Sequence, residues 1–310
     1  LCAGGPATLN GGDADTPLSI SGTIAAQAGG LAVAVSAKDA MSLHVTGTLS
    51  GVDTSGGGNG YAIRAGYSDG TDWVAGSADN IVILDTGAHL IGKVDLGSGN
   101  NTLKLYGTGS ADNLFLGVTN LVVGDGTSAA SWTLNPPAAN ASTYGGLTIN
   151  PNAALSINEN VTIAGNITDN GALTFDLGAD KTYGGVISGS GTVTKTGSGT
   201  LTLSGANTYT GATYVTTGIL RAGAANTFSP FSAATVASGA LLDCNNYDQT
   251  LAGLSGNGTV TLGTANLTLD MPQGADATFS GVLSGTGALI KTGAGAQTLT
   301  GANKIGRAHV

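Results

Sequence analysis

The chain of 310 residues holds 53 glycines, about 17 % where roughly 7 % is usual, with only 9 % charged and 5 % aromatic residues. Ten lysines and arginines stand against 19 acids, all aspartate except Glu159, so the net charge is −9. Scarce Glu, Lys, Gln and Arg argue against a helical fold, glycine without a three-residue period against collagen, low charge against disorder, and scattered negative charge against nucleic acid or anionic membranes. Two cysteines, Cys2 and Cys244, form neither a disulfide framework nor a metal set. The longest apolar run, Leu31–Val35, is too short for a membrane-spanning helix. The chain begins Leu1-Cys2-Ala3 with no Met and no basic-then-apolar leader, as expected of a fragment or of a chain whose leader was removed.

In chain order, the first chemistry-like features are Asp-rich turns, Asp13-Ala14-Asp15 and Ser68-Asp69-Gly70-Thr71-Asp72, each a weak calcium candidate. Tyr61, Arg64, Tyr67 and Trp73 lie in a Gly-rich stretch, Gly56 to Gly76, where aromatic side chains, a cation and loop residues coincide. The default reading is a long corner over an apolar side. The functional reading is a contact loop for a glycan or protein partner. Asp85-Thr86-Gly87 matches the aspartic-protease core pattern, but that chemistry needs two carboxylates and no second copy exists. His44 and His89 read as surface or corner residues. Gly97–Leu103 approaches a calcium-binding β-roll nonapeptide, with Asn100 and Asn101 where Asp is required. Gly126-Thr127-Ser128-Ala129-Ala130 resembles a subtilisin nucleophile segment without a histidine in a matching motif. Lys195-Thr196-Gly197 and Lys291-Thr292-Gly293 mimic a β-lactamase box that no Ser-x-x-Lys precedes. Corners account for all of these.

The recurrent local signal is a short alternating strand. Thr200–Leu203, Thr259–Leu262 and Asn266–Leu269 each put apolar residues on one face and Thr or Asn on the other, between Gly, Ser, Asn or Asp corners. The chain also repeats itself. GVISGSGTVTKTGSGTLTLSGAN at 185–207 and GVLSGTGALIKTGAGAQTLTGAN at 281–303 agree at 14 of 23 positions, 96 residues apart. Half-apolar strands with Gly/Asn corners cannot bury themselves singly. Coiled into turns about 4.8 Å apart they pair in parallel, stack Val, Ile, Leu and Ala inside, and align Asn and Thr into ladders. The fold class expected is all-β, a parallel β-solenoid with no significant helix, at about 22 residues per turn, or roughly 13–14 turns over about 60–65 Å.

Residues 185–211, with Thr213-Tyr214-Val215 and Gly218-Ile219-Leu220, resemble the autotransporter-associated β-strand repeat, or passenger-associated transport repeat. Leu242–Asn245, Gln249–Leu251 and Gly253–Val260 are similar to the segment that follows it. The likeness covers about 140–303; Asp95–Leu103 and Trp132–Leu134 resemble passenger turns more weakly. The resemblance implies a right-handed parallel β-helix, exported through a C-terminal outer-membrane β-barrel, whose repeats aid export. It carries no catalytic residue. Where the family has an apolar residue, Cys244 stands, and alternation turns it inward with Leu242, as a small core hydrophobe.

The expected division is 1–137 as N-terminal passenger turns, 138–303 with two repeats (185–223 complete, 281–303 truncated), and 304–310 as sequencing-adapter read-through, because Ile-Gly-Arg-Ala-His-Val is what a common library adapter encodes. The expected function is structural: an adhesin-like, cell-surface passenger anchored through the bacterial outer membrane, with no enzyme activity and no cofactor or metal. Its expected partners are its own barrel and a host or cell-surface glycan or protein, with no nucleic acid, no membrane insertion by this segment, and a monomeric state. The alternatives are a filamentous exoprotein of a two-partner system and a β-helix enzyme such as a polysaccharide lyase or passenger hydrolase.

Overall fold

The computed structural model describes residues 17–25, 33–37, 39–51, 60–68 and 73–309. Asp13, Asp15 and Asp69–Asp72 of the two calcium candidates lie outside these. Among the described residues the chain is strand and corner, with one 3-10 turn at Ala138–Asn140. It divides into two compact units, Leu1–Leu155 with Asn160–Ala164, and Ser156–Glu159 with Gly165–Val310. Each is a parallel β-solenoid, and the described residues of the two hold about 13 turns.

In the first unit one wall stacks Leu18–Ile20, Ser42–Val45, Ile81–Leu84, Asn101–Leu105, Val118–Val123 and Ser142–Ile149. Alternation along each strand sends every second residue inward, and parallel register lines those residues up between turns. The result is a column Leu43, Val82, Leu103, Leu121, Leu147, buried throughout. In the second unit the matching column is Leu201, Leu220, Leu242, Val260, Leu283. Cys244 lies inward beside it, wholly buried, and burial pushes its thiol up to about 12. Asp243 between them points outward and accepts a hydrogen bond from Arg221 Nε at 2.8 Å. At the far end, Arg307–His309 pairs in parallel with Ala288–Thr292.

Turn length in the second unit runs from 18 residues (Leu242 to Val260) to 23 (Val260 to Leu283), around the expected value. The first unit holds a longer turn, 39 residues from Leu43 to Val82. It carries an excursion in which Tyr61–Ser68 folds antiparallel against Trp73–Ala75. Corners take the left-handed backbone that glycine and asparagine tolerate. The non-glycine residues with positive φ among those described are all asparagine: Asn152, Asn226, Asn245 and Asn246. Gly197 and Gly293, at φ +77° and +72°, sit where any Cβ would strike the Leu177 and Met271 carbonyl oxygens of the adjacent turn.

A corner leaves buried amides without strand partners, and asparagine supplies them. Met41 N donates to Asn80 Oδ1 at 3.0 Å, and Asn80 donates to Asn101 Oδ1 through N at 2.9 Å and Nδ2 at 2.8 Å. Asn101 Nδ2 then donates to Gly117 O at 2.8 Å. Both side chains are buried, so this ladder links the corner amides of four successive turns. Asn101→Ala orphans the Asn80 amide and the Gly117 carbonyl and should destabilise the first unit by about 2–4 kcal/mol. Asn120→Ala removes only an exposed bond to Asn100 and should cost under about 0.5 kcal/mol. Urea unfolding of both variants, with hydrogen exchange at Asn80, checks this; equal costs would refute the ladder's role.

Candidate interaction surface

Tyr61 and Arg64 are three residues apart, a spacing that puts side chains on opposite faces of a regular strand. The structure brings them to the same face. Opposite Lys93–Asp95 the pairing runs Lys93 to Tyr61, then Val94 to Ile63, so Ala62 is an extra residue in a bulge. Ala62 and Ile63 both turn inward, fully buried, and Tyr61 and Arg64 both stay half-exposed. Arg64 Cζ lies 4.4 Å from the Tyr61 ring centroid and Lys93 Nζ 5.8 Å from it. Such stacking favours a cation by about 0.5–2 kcal/mol. Asp95 faces Arg64 in register, and the exposed Leu116 faces Asp95 on the next strand.

Lys93 also lines a groove of about 430 Å³ with His89, Asp112, Asn113 and Asn140. Asn113 Nδ2 donates to Leu90 O at 3.0 Å and Gly92 O at 2.9 Å, and Asn140 Nδ2 to Asp112 O at 3.1 Å, so the groove wall is held by its own amides. Of the four residues singled out in the sequence, Tyr61 and Arg64 meet directly. Tyr67 and Trp73 sit further along the hairpin, beside and at its paired end. Lys93 and His89 arrive from later strands, 25 or more positions from Tyr61 and Arg64 in sequence; only the register reveals them.

The remaining motif-like segments brace corners. His44 Nε2 lies 3.1 Å from Asp85 Oδ2, and Thr86 N donates to Asp85 Oδ1 at 2.7 Å. Asp125 Oδ1 accepts from Thr127 N, Thr127 Oγ1 and Ser128 N at 2.7–2.9 Å. These bonds, led by that from Ser128 N, hold the Asp125 carboxyl down at about 2. The two Lys-Thr-Gly segments do the same job twice. Lys195 Nζ donates to Thr196 O at 2.6 Å and Gly197 O at 2.8 Å; Lys291 Nζ donates to Thr292 O at 2.5 Å and Gly293 O at 3.0 Å. Lys195 faces inward between Phe175 and Val215, almost fully buried, so its stem packs as a core residue and its amine crosses to the corner. Burial pulls that amine below its ordinary value, and Asp176 and Asp180 partly restore it. Asparagine closes each repeat in the same way: Ile187 N donates to Asn207 Oδ1 at 2.7 Å, and Leu283 N to Asn303 Oδ1 at 2.9 Å.

The passenger-associated-transport-repeat family model matches residues 193–222 and 289–305. Over 131 residues, 41 % of this chain, the sequence is 32 % identical to the adhesin BmaC autotransporter of Brucella suis biovar 1 (strain 1330). The chain spans about 4 % of the length of that relative. No solved structure matches it.

A buried carboxylate departs from this pattern of satisfied polarity. Asp169 is fully buried; Gly171 N donates to its Oδ1 at 3.0 Å, and Oδ2 has no partner. The buried Tyr209 hydroxyl shares a hydrogen bond with Thr213 Oγ1 at 2.7 Å. The acid has no counterpart in the second repeat. Gly191 N donates to Asp169 O, whereas Gly287 N donates to the carbonyl of Gly263, which has no side chain. Burial raises the Asp169 carboxyl from 3.8 to about 6. A raised acid pKa means the folded state holds its proton more tightly than the unfolded one. The penalty is therefore absent below about pH 4, grows through pH 4–6, and is complete above, at roughly 3 kcal/mol. Asp169→Asn should stabilise the second unit by up to that amount at pH 7 and by little at pH 4. Unfolding of wild type and variant at both pH values measures the difference; a pH-independent gap would refute the assignment.

Proposed function

We infer that this chain, an autotransporter passenger segment with passenger-associated transport repeats, is a structural and adhesin-like part of a cell-surface protein anchored in the outer membrane. The observation that carries the reading is the duplicated repeat hardware: Lys195 with Asn207 and Lys291 with Asn303 make the same bonds at equivalent corners. Each lysine fixes the corner of its own turn, and each asparagine ties its turn to the one before. Stability in a solenoid is a sum of turn and nearest-neighbour terms. Turns closed in this way fold as they emerge, without waiting for distant sequence. A folded turn outside the cell also resists sliding back, which is how the repeats aid export through the protein's own C-terminal barrel.

The passenger works without catalysis, as a scaffold that holds contact surfaces away from the membrane. The cations Arg221, Lys195 and Lys291 of the second unit are consistent with this: Arg221 is paired with Asp243, while Lys195 and Lys291 donate to corner carbonyls. The Tyr61, Arg64 and Lys93 face is the contact surface. The test uses the complete reading frame displayed on a bacterium that lacks it. Asn207→Ala with Asn303→Ala should lower the surface-accessible amount several-fold, and adherence should fall in proportion. Unchanged display would refute the export role, and full display without adherence would refute the adhesin role.

A further inference from the structure

We propose that Asn170 is a self-modification site: the corner Asp169-Asn170-Gly171, with Ser190 of the next turn against it, catalyses its own deamidation through a cyclic imide. The site lies in the second unit and is independent of the adhesin reading above.

Asn-Gly is the pair at which this ring closes with least obstruction, because glycine brings no Cβ to crowd the attacking amide. Among the described residues it occurs at 170–171 and at 257–258. The surroundings of the two differ. Gly171 N donates to Asp169 Oδ1 at 3.0 Å, so a carboxylate lies within proton-transfer distance of the attacking nitrogen. Asp169 is fully buried, and its Oδ2 has no partner among the described residues. Desolvation raises this carboxyl to about 6, which makes it a stronger base than an exposed aspartate and leaves it ionised at neutral pH. Ser190 N and Oγ donate to Asn170 Oδ1 at 3.2 and 3.4 Å. That is the oxygen on which negative charge grows when the carboxamide carbon is attacked. Asn170 is half-buried, and its Nδ2 makes no hydrogen bond among the described residues, so nothing holds the leaving nitrogen. Two glycines of the next turn make the room: a Cβ at Gly191 would strike the Asp169 carboxyl, and one at Gly189 would crowd Asn170 Oδ1. At the other pair, Gly258 N donates to Val236 O at 2.9 Å, a carbonyl that is no base, and the exposed Asn257 carboxamide accepts no hydrogen bond among the described residues.

The step balances within the corner. Gly171 N passes its proton to Asp169 Oδ1 and bonds to Asn170 Cγ. The Cγ–Nδ2 bond breaks, and Nδ2 takes that proton from Asp169 and leaves as ammonia. Solvent water then adds across one of the imide C–N bonds, which leaves an aspartyl or an isoaspartyl linkage at position 170. The isoaspartyl form carries one more main-chain atom. Gly191 N donates to Asp169 O at 2.8 Å, and Gly189 packs against the same carbonyl, so a lengthened corner loosens the stack there.

Incubation of the whole 310-residue chain at neutral pH, followed by position-resolved peptide mass spectrometry with isoaspartate detection, tests this. Asn170 should convert about tenfold or more faster than Asn257, a modest share of the roughly 10²–10⁴ that a positioned general base supplies. Asp169→Asn keeps an oxygen that can accept from Gly171 N and removes only the base; it should slow Asn170 about tenfold or more without lowering the melting temperature. In urea, where the buried acid and Ser190 are no longer in place, Asn170 and Asn257 should convert at similar rates. Equal rates in the folded chain, an unchanged rate in Asp169→Asn, or a gap that persists in urea would each overturn the proposal. The isoaspartyl fraction should show faster amide exchange at Gly191; unchanged exchange there would overturn the loosening of the stack.

Discussion

Parallel in-register stacking puts every side chain about 4.8 Å from its counterpart on the next turn, and the rest of the structure depends on that repetition. An inner position has to suit its neighbours above and below, so it is mostly filled by Leu, Val, Ile or Ala, and columns such as Leu43–Val82–Leu103–Leu121–Leu147 result. A corner has to pass close to the carbonyls of the adjacent turn. That excludes side chains at Gly197 and Gly293 and leaves asparagine as the non-glycine residue found at left-handed corners among those described. The glycine-rich, aromatic-poor composition is the same constraint seen in one dimension.

The stack also decides how polarity is handled inside. A buried carboxamide is tolerated where both its ends find backbone, as Asn80, Asn101 and Asn207 do. A buried lysine is tolerated where its stem joins an inner column and its amine reaches corner carbonyls, as Lys195 does. Asp169 shows the limit of the rule. It has one bonded oxygen and one that is not, and its ionisation is what suffers.

Period-two alternation, Gly/Asn corners and the 96-residue repeat were enough to read an all-β parallel solenoid, and the inward place of Cys244 followed from alternation alone. The asparagine ladders were legible as a type, because corners stack on corners. What lay beyond the sequence was anything set by register between unequal turns. Lys195 looks like a surface cation because lysine usually is one; only its column shows it between Phe175 and Val215. Tyr61 and Arg64 were legible as a suggestive composition, but their three-residue spacing denies a shared face on a regular strand, and Lys93 is absent from that stretch altogether. A one-residue bulge has no sequence signature here, since Ala62 is an ordinary small apolar residue.

That difference follows from what a solenoid is. A perfect repeat presents the same outward ladder turn after turn, and the Thr194, Tyr214, Thr235, Ser255 row of the second unit comes close to this, with one aromatic among hydroxyls. Uniform ladders offer a partner many equivalent registers and therefore little specificity. A distinct site needs a place where the period fails. The first unit supplies one in its 39-residue turn, where the extra hairpin and the bulge break the alternation and gather cations that regular strands would have kept apart. The regularity that makes the fold readable from sequence thus carries stability, and the departures from it, which sequence reads least well, are where recognition can reside.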